Sequence, residues 1–475
     1  MAIATSGQLS ALLKEQYEGP IREQLNLEAL IYRLFEEGPH SWAGDKVIIP
    51  LHTAGVLEST IAYLDESALG AYQEMPQASA QNYLDLTVGA KHLYASFEVT
   101  GQAEAKAPGN AGGSEAAFVG AMYSEMRGLE KDVRSSMNKD MFTGQGFAGF
   151  LIDNQGTVTG AGGGGTERRV SGANHLANGM LVRLWHVPAD ETQNWVLLQD
   201  GTAGPNQRDT FTVNAVNTAL GTCTLTSNAL GGAALDGPSA AGVGATDLVV
   251  IEEVQALTAG PNVSVRNTAR LREINGINCL AFGAQSADAY GNARDGVTNP
   301  VLRGFGFKSD QAAVPAGGLS SGQPLTLEDM QLVVDSIAER CEEDVDCVIM
   351  HRFTRAQFRN LAQEGIRYLP GETAGDLGHR PGDLAFEDIP ITVSKDAPYG
   401  VIYFIVKDTI NTYTLRPGGF QQFTDNGDII TQKRAGGANG LLLDVREGFW
   451  KQYYNLVSEI PRAIGVMAGI EYKRG

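Results

Sequence analysis

The longest periodic pattern in the chain is a stripe of apolar residues, three or four positions apart, between residues 118 and 141. This spacing places the side chains on one face of a helix. Ala107-Pro108-Gly109-Asn110 breaks the chain before the stripe, and Ser114 and Glu115 suit an N-cap and an acidic first turn. The sequence predicts a helix from Ser114 to about Phe142. This face needs a partner, and we expect it to take part in assembly. Its stripe consists of Phe118, Met122, Met126, Leu129, Val133, Met137 and Met141.

The segment before this helix reads as a protruding arm. Residues 8–37 alternate short helical patterns that end at Gly38-Pro39, and period-two alternation then predicts strands at Val47 to Ile49, 84–88 and 93–99. From 45 to 111 the apolar clusters look too thin for a separate core, so we expect an extended, unanchored loop. No lysine or arginine occurs between Lys46 and Lys91, which predicts a positively charged partner surface. The acidic residues of the loop are Glu58, Asp65, Glu66, Glu74 and Asp85.

After Gly144 the composition shifts to Gly, Ala, Asn and Thr, and short strand patterns recur at near-regular spacing. Turn signals at Asp200-Gly201 and Asp236-Gly237 separate some of them. The pattern predicts an inserted all-β domain, a small barrel or sandwich. The five predicted strands are Leu181 to Val187, Trp195 to Leu198, Thr210 to Val216, Thr222 to Thr226 and Leu248 to Val254.

The last third of the chain predicts an α/β unit followed by returning strands. Thr326 is an N-cap for a helix whose apolar face includes Met330 and Val333. A strand at Val345 to Met350, a helix at Thr354 to Gln363 and further strands between 391 and 415 follow. The tail from 441 to 470 adds strands that return to a core already built.

Composition and charge exclude several classes of protein. Lys plus Arg number 36 and Asp plus Glu 55, a net charge of −19, which opposes broad phosphate neutralisation and hence a dedicated nucleic-acid reader. The four cysteines form no CxxC pair and are predicted to be reduced thiols. We expect no secretory signal at the start, and the apolar stretch 456–470 is interrupted by Glu459, Pro461 and Arg462, so we expect no membrane span.

A search for chemistry yields no catalytic, cofactor or metal site. Gly162 to Gly165 lacks the lysine and hydroxyl residue of a phosphate loop and suits a flexible linker. The acidic run from Glu342 to Asp346 lacks EF-hand spacing. His351 with Arg352 and Arg355 could form an anion site, but no nucleophile and base accompany them in recognisable order. The sequence predicts neither an enzyme nor a cofactor.

The order of these elements resembles the major capsid protein of tailed bacteriophages, the Hong Kong-type capsid fold. Ile274-Asn275-Gly276-Ile277 and the segment 290–295 also look like capsid-family sequence. The fold class implied is α+β with an inserted β-rich domain. The implied parts are an N-terminal arm (1–44), an extended loop (45–92), a peripheral domain with its spine helix at 114–142 (93–165), the inserted domain (166–260), a peripheral continuation (261–324), an axial domain (325–433) and closing strands (434–475).

The resemblance implies a coat protein that self-assembles as pentamers and hexamers into an icosahedral head around double-stranded DNA, without specific DNA binding. The implied location is the virion, after assembly in the bacterial cytoplasm. A scaffold protein, a portal and decoration proteins are the partners that it implies. The extended loop carries no lysine between Lys46 and Lys91, and hence none near its tip for covalent crosslinking, which implies non-covalent locking.

Two other functions remain open from the residues. A cellular nanocompartment of the encapsulin type would use the same fold to enclose an enzyme in place of a genome. A multidomain enzyme or carbohydrate-binding protein with a β module would act as a monomer. The contents of a particle separate the first from a virus, and hydrolase activity of the monomer would support the second.

Overall fold

The computed structural model describes just over half of the chain. The described residues are 31, 34, 35, 42, 44–54, 82–100, 115–151, 167–187, 196–198, 210–227, 248–254, 273–282, 300–309, 324–341, 343–364, 385–420, 430–434 and 442–471. Within them the structure combines one long helix with strands arranged in four sheets.

The long helix α1 (Glu115–Thr143) matches the prediction within a residue at its C-terminal end. It packs with a four-stranded sheet built on β18 (Leu442–Ser458). Strand β3 (Lys91–Thr100) lies along one edge of β18, while β16 (Ile410–Phe420) and β17 (Ile430–Arg434) follow one another along the other edge. The predicted closing strands are therefore the centre of this sheet.

The arm formed by strands β1 (Lys46–Ala54) and β2 (Asn82–Gly89) is anchored at its base, which corrects the expectation of an extended, unanchored loop. The two strands pair antiparallel from Lys46 opposite Gly89 to Ala54 opposite Asn82. Alternate residues of the two strands form one apolar face that joins the main core, with Ile31 and Phe35 of the N-terminal segment. Each strand alone contributes just three residues to this face, so the apolar pattern looks thin in the sequence, and pairing brings the two sets together. This face consists of Val47, Ile49, Leu51, Leu84, Leu86 and Val88.

A closed antiparallel barrel follows α1. Six strands pair in a ring, in the order β10, β4, β5, β9, β8, β6 and back to β10, and β7 pairs with β6. All five predicted strands are present, but the barrel starts before the predicted boundary at residue 166, because β4 belongs to it. The strands are β4 (Phe147–Leu151), β5 (Glu167–Ser171), β6 (Leu181–Val187), β7 (Val196–Leu197), β8 (Phe211–Asn217), β9 (Thr222–Ser227) and β10 (Leu248–Val254).

The barrel is joined to the main core through one side of its wall. Its interior cluster includes Leu184, Phe211 and Ile251. On β4, β6 and β10 the intervening residues, such as Phe150 and Trp185, belong to the main core cluster instead. Trp185 also donates from its indole nitrogen to the buried Glu252 carboxylate at 2.6 Å. The barrel is therefore packed on the core and not suspended from it by a linker.

The third large unit is a mixed six-stranded sheet in the order β11, β19, β15, β12, β14, β13. Helices α3 (Leu327–Cys341) and α4 (Arg352–Glu364) pack on it, and the Thr326 hydroxyl accepts from the Asp329 amide as the predicted N-cap. The strands are β11 (Phe305–Lys308), β12 (Cys347–His351), β13 (Ala385–Phe386), β14 (Ile389–Ser394), β15 (Val401–Ile405) and β19 (Ile464–Ala468).

This sheet does not follow the predicted limits of 325 to 433. Strands β11 and β19 lie outside the predicted limits but belong to this sheet. Strands β16 and β17 begin within the limits but pair with β18. A short helix, α2 (Ile277–Phe282), is fully buried between the large units. The predicted elements are correct here, but their assignment to sheets required long-range pairings that local patterns do not encode.

Candidate assembly surfaces and the junction that supports them

The apolar stripe of α1 divides into two parts. Val133, Met137 and Met141 are buried in the main core, whereas Leu129 is half-buried and packs against it. Met126 is also half-buried. The side chains of Phe118 and Met122 lie outside the described residues. The C-terminal half of the stripe therefore serves the chain's own core, and burial decreases from Val133 to Leu129 and Met126.

The outer face of the arm carries exposed apolar and aromatic groups. Ile48 is 61% exposed and Tyr83 66% exposed, although the alternate residues of the same strands are buried or half-buried. The His52 and Tyr83 rings face each other at 5.2 Å across the two strands. Asp85 lies on this exposed face, and Glu58, Asp65, Glu66 and Glu74 lie outside the described residues. Within the described part of the chain, this face of the arm is exposed to solvent.

A second open face lies on the four-stranded sheet. The Tyr94 and Tyr453 hydroxyls are 2.8 Å apart, and the His92 ring stands edge-on to Tyr453 at 4.5 Å. The hydrogen bond with Tyr453, assisted by burial, raises the pKa of Tyr94 above its ordinary value. Lys451 lies 5.9 Å from the Tyr94 ring, in a cation–π arrangement. With Tyr94 54% exposed, this face resembles the aromatic and cationic centre of a protein interface.

Both open faces depend on a buried junction where helix, barrel and sheets meet. Gly144, at the end of α1, and Gly276 approach so closely that a Cβ on Gly276 would lie 2.5 Å from the Gly144 amide nitrogen. The 273–276 segment is therefore pressed directly against the backbone of α1. The capsid-like sequence Ile274-Asn275-Gly276-Ile277 lies at this contact.

Buried amides complete the junction. Asn275 donates from its backbone to the Asn455 side chain at 2.9 Å and from its own side chain to the Leu456 carbonyl at 3.2 Å. Asn278 donates to the Phe147 carbonyl at 3.1 Å and accepts from the Tyr403 hydroxyl at 2.9 Å. Burial raises the pKa of Tyr403 well above its ordinary value, so the phenol stays neutral. These bonds join α2 to the sheet on β18, the barrel and the six-stranded sheet.

The base of the arm is tied into the same region. The Asn455 side chain donates to the Gly89 carbonyl at 2.8 Å, at the point where β2 ends. The Ile31 amide donates to the Asn138 side chain of α1 at 3.1 Å. The capsid-like motif Ile274-Asn275-Gly276-Ile277 is the local sequence signal at this junction, and its partners lie more than a hundred residues away in the chain.

The described residues contain no group of three or more His, Cys, Asp or Glu side chains that could hold a metal ion. Three cysteines are buried, Cys341 is half-buried, and burial raises the pKa values of Cys341 and Cys347, which disfavours thiolates. A cleft of about 280 Å³ opens beside β3, with Lys91, Asp140 and Glu273 in its lining.

The structure describes one of the two candidate sites for chemistry in the sequence. His351 ends β12, and its ring accepts a hydrogen bond from the Phe353 amide at 3.2 Å, which supports the start of α4. Gly162 to Gly165 lie outside the described residues. Across the parts of the chain that the structure describes, no helix is long and apolar enough to cross a membrane.

Comparison with known proteins gives similarity in structure alone. No protein-family model and no curated protein matches the chain. Solved structures that resemble it include the cyanophage A-1(L) capsid asymmetric unit, with 11% identity, a TM-score of 0.49, and coverage of 98% of this chain and 99% of that one. The capsid of a native gene transfer agent particle shows 8% identity and a TM-score of 0.45, covering 99% and 100%. Microbacterium phage Oxtober96 shows 11% identity and a TM-score of 0.44, covering 98% and 99%.

Proposed function

We propose that the chain is a major capsid protein of a tailed bacteriophage, the structural subunit of a closed shell. The observation that carries the proposal is the arm: one face is fixed in the core, and the opposite face presents Ile48 and Tyr83 to solvent. In this proposal the exposed apolar and aromatic side chains of the outer face are contact groups for a partner. Neighbouring copies of the same chain are the partners that this proposal assigns to it.

The architecture suits a subunit that makes several different interfaces. A closed shell needs heterologous contacts around each subunit, and projecting strands bury area that compact faces cannot. The paired part of the arm is about 25 Å long over eight residue pairs, at the usual rise per residue of an antiparallel strand. The open sheet face with Tyr94 and Tyr453 is the second proposed contact. The rigid junction at Gly276 would hold both faces in fixed relative positions.

The finer features of the proposal follow the sequence resemblance. We propose that the copies form pentamers and hexamers of an icosahedral head, with the barrel as an inserted accessory domain. Double-stranded DNA would be held by confinement, since a net charge of −19 per copy opposes strong contacts with phosphates. Scaffold, portal and decoration proteins are the proposed partners, and assembly would take place in the bacterial cytoplasm.

Electron microscopy of the expressed protein tests this function directly. We expect pentamers, hexamers or closed shells in the purified material, with DNA as the enclosed content of particles from infected cells. Shells that hold an enzyme in place of DNA would indicate a nanocompartment. A chain that stays a compact monomer at all concentrations, with residues 45–91 protected from proteolysis, would contradict the proposal.

A substitution on the arm separates assembly from folding. Ile48→Asp adds a charge to an exposed side chain, so we expect the unfolding free energy of the monomer to change by less than about 1 kcal/mol. Assembly should fall at least tenfold, because a buried unpaired carboxylate is strongly unfavourable at an interface. Light scattering and microscopy measure the particles. Leu220→Asp is the matched control, because it makes the same kind of change at a 42% exposed leucine in the turn between β8 and β9 of the barrel. Normal particles from Ile48→Asp would remove the arm's outer face from the interface.

A further inference from the structure

The loop of residues 395–400, between β14 and β15, is held by three separate parts of the protein. From α1, the buried Asn138 side chain donates to the Ser394 hydroxyl at 3.4 Å and to the Asp396 carboxylate. From the barrel, the Gly172 amide donates to the Tyr399 carbonyl at 2.8 Å. Strand β12 contacts the loop through His351, which is described below. The loop is therefore the place where α1, the barrel and the six-stranded sheet are fastened together.

The barrel's contact with this loop is specific and directional. The Asn174 side chain donates to the Ala397 carbonyl at 3.1 Å and accepts from the Tyr399 amide at 2.9 Å, as a neighbouring strand would. The Ser171 hydroxyl donates to the Gly400 carbonyl at 3.2 Å. These bonds are independent of the apolar contact between the barrel wall and the main core.

Two histidines from different parts of the molecule bind adjacent backbone groups of the loop. The His175 Nε2 atom of the barrel lies 2.9 Å from the Asp396 carbonyl oxygen. His351 of β12 forms a hydrogen bond with the backbone of Lys395. Both side chains are buried, and His175 Nδ1 has no partner among the described residues. His175 therefore fits as the neutral tautomer with its proton on Nε2.

The surroundings oppose protonation of either ring. Burial, with Lys139 and His351 nearby, lowers the pKa of His175 to about 3, against the opposing effect of its bond to Asp396. Burial and Arg352 lower the pKa of His351 to about 4, again against its bond to the loop. A proton on His175 Nδ1 would become a buried donor without an acceptor, beside a lysine and a second histidine.

We propose that this cluster is an acid-sensitive latch, in which protonation of His175 and His351 releases the barrel and β12 from the 395–400 loop. The latch is a property of the folded chain and does not depend on the proposed capsid function. Below neutral pH the released state binds protons that the closed state rejects, so the equilibrium shifts toward release. The closed state has its full stability relative to the released state above pH 6.5, the ordinary pKa of histidine. This relative stability decreases as the pH falls toward 4.

The size of the effect follows from linkage. For each histidine, the equilibrium constant for release rises about tenfold per pH unit between 6.5 and its depressed native pKa. With both rings acting, the rise approaches about a hundredfold per unit in the range above pH 4. A single histidine replaced by a neutral amide should remove about half of this slope on a logarithmic scale.

Hydrogen exchange measured by mass spectrometry on the unassembled chain tests the latch, with correction for intrinsic exchange rates. We expect peptides covering 171–176 and 394–400 to lose protection between pH 7 and pH 4.5, while peptides of β18 stay protected. His175→Gln and His351→Gln should each reduce the pH dependence, since the glutamine amide can donate to the loop but cannot be protonated. His52→Gln, at an exposed histidine on the arm, is the matched control and should leave the slope unchanged.

The outcomes separate the latch from general acid unfolding. Equal protection of the 394–400 peptide at pH 7 and pH 4.5 in the unmodified chain would overturn the proposal, even if one variant failed to fold. Simultaneous loss of protection in β18 would overturn it as well, because the release would then be global. An unchanged slope in both glutamine variants would show that other groups control the loop.

Discussion

Gly276→Ala is expected to destabilise the protein by about 3 kcal/mol or more, enough to abolish most soluble expression. The added methyl would lie 2.5 Å from the Gly144 amide nitrogen, 2.8 Å from the Phe142 carbonyl oxygen and 2.9 Å from the Asp140 carbonyl oxygen. All three atoms belong to the backbone of α1 and its continuation, so no side-chain rotation can relieve the contact. The segment would have to move away from the helix and break the hydrogen bonds of Asn275.

Denaturant unfolding of the purified chain measures this loss. Gly128→Ala is the matched control, because Gly128 lies within α1 and its added methyl would meet no atom within 4 Å. That change should stabilise the helix by up to about 1 kcal/mol, the usual difference in helix propensity between the two residues. If both alanine variants unfolded at the same denaturant concentration as the unmodified chain, the close approach at the junction would be wrong.

Val133→Asp is the second change with a large expected effect, and it should destabilise the folded chain by about 4 kcal/mol. Val133 is 5% exposed and lies in the main core cluster with Met137. A carboxylate there would lose its hydration without gaining a partner. Since domains of this kind are stable by only about 5–15 kcal/mol, most of the margin would disappear and particles would not form.

The loss should appear in the monomer before any assembly step, which distinguishes Val133→Asp from Ile48→Asp. Thermal unfolding followed by circular dichroism measures it, with Ser136→Asp on the exposed side of the same helix as control. We expect the control to shift the unfolding free energy by a few tenths of a kcal/mol, because it places a like charge four residues from Asp140. A folded, fully stable Val133→Asp chain would refute the burial of the stripe.

The sequence predicted local elements well where caps and periodicity agreed. Helix α1 begins after Ser114 and helix α3 begins after Thr326, as the capping residues indicate. The strand Leu248–Val254 matches its predicted bounds to the residue. These features are determined within a few residues of chain. Val133, Met137 and Met141 were also correctly placed on a face that needs burial.

The sheet assignments could not be read from local pattern. Strand β4 is buried along its whole length, so its sequence has no alternation to mark it as a strand. The run Asp425-Asn426-Gly427-Asp428 is a hairpin signal in the sequence. Strands β16 and β17, which flank it, nevertheless pair with the same edge of β18 and not with each other.

The junction and the histidine cluster were missed for the same reason. His175 and the loop at Asp396 are more than two hundred residues apart, and neither segment carries a spacing that suggests the other. The sequence marks His351 as part of a possible anion site, but no local pattern indicates its contact with the backbone of Lys395. The role of the acidic loop residues stays a prediction, as does the assembly role of the helix stripe.

The long strand β18 runs without interruption from Leu442 to Ser458 through the centre of its sheet. It is paired with β3 from Tyr454 opposite Lys91 to Val445 opposite Thr100, and β3 follows directly from the arm. Tension applied to the arm would therefore pull β3 lengthwise against β18, so that all the ladder bonds between them resist sliding together. Beyond residues 461–463 the same chain enters the six-stranded sheet as β19. Internal pressure on a shell of such subunits would thus be spread from the arm to the far sheet along one covalent path.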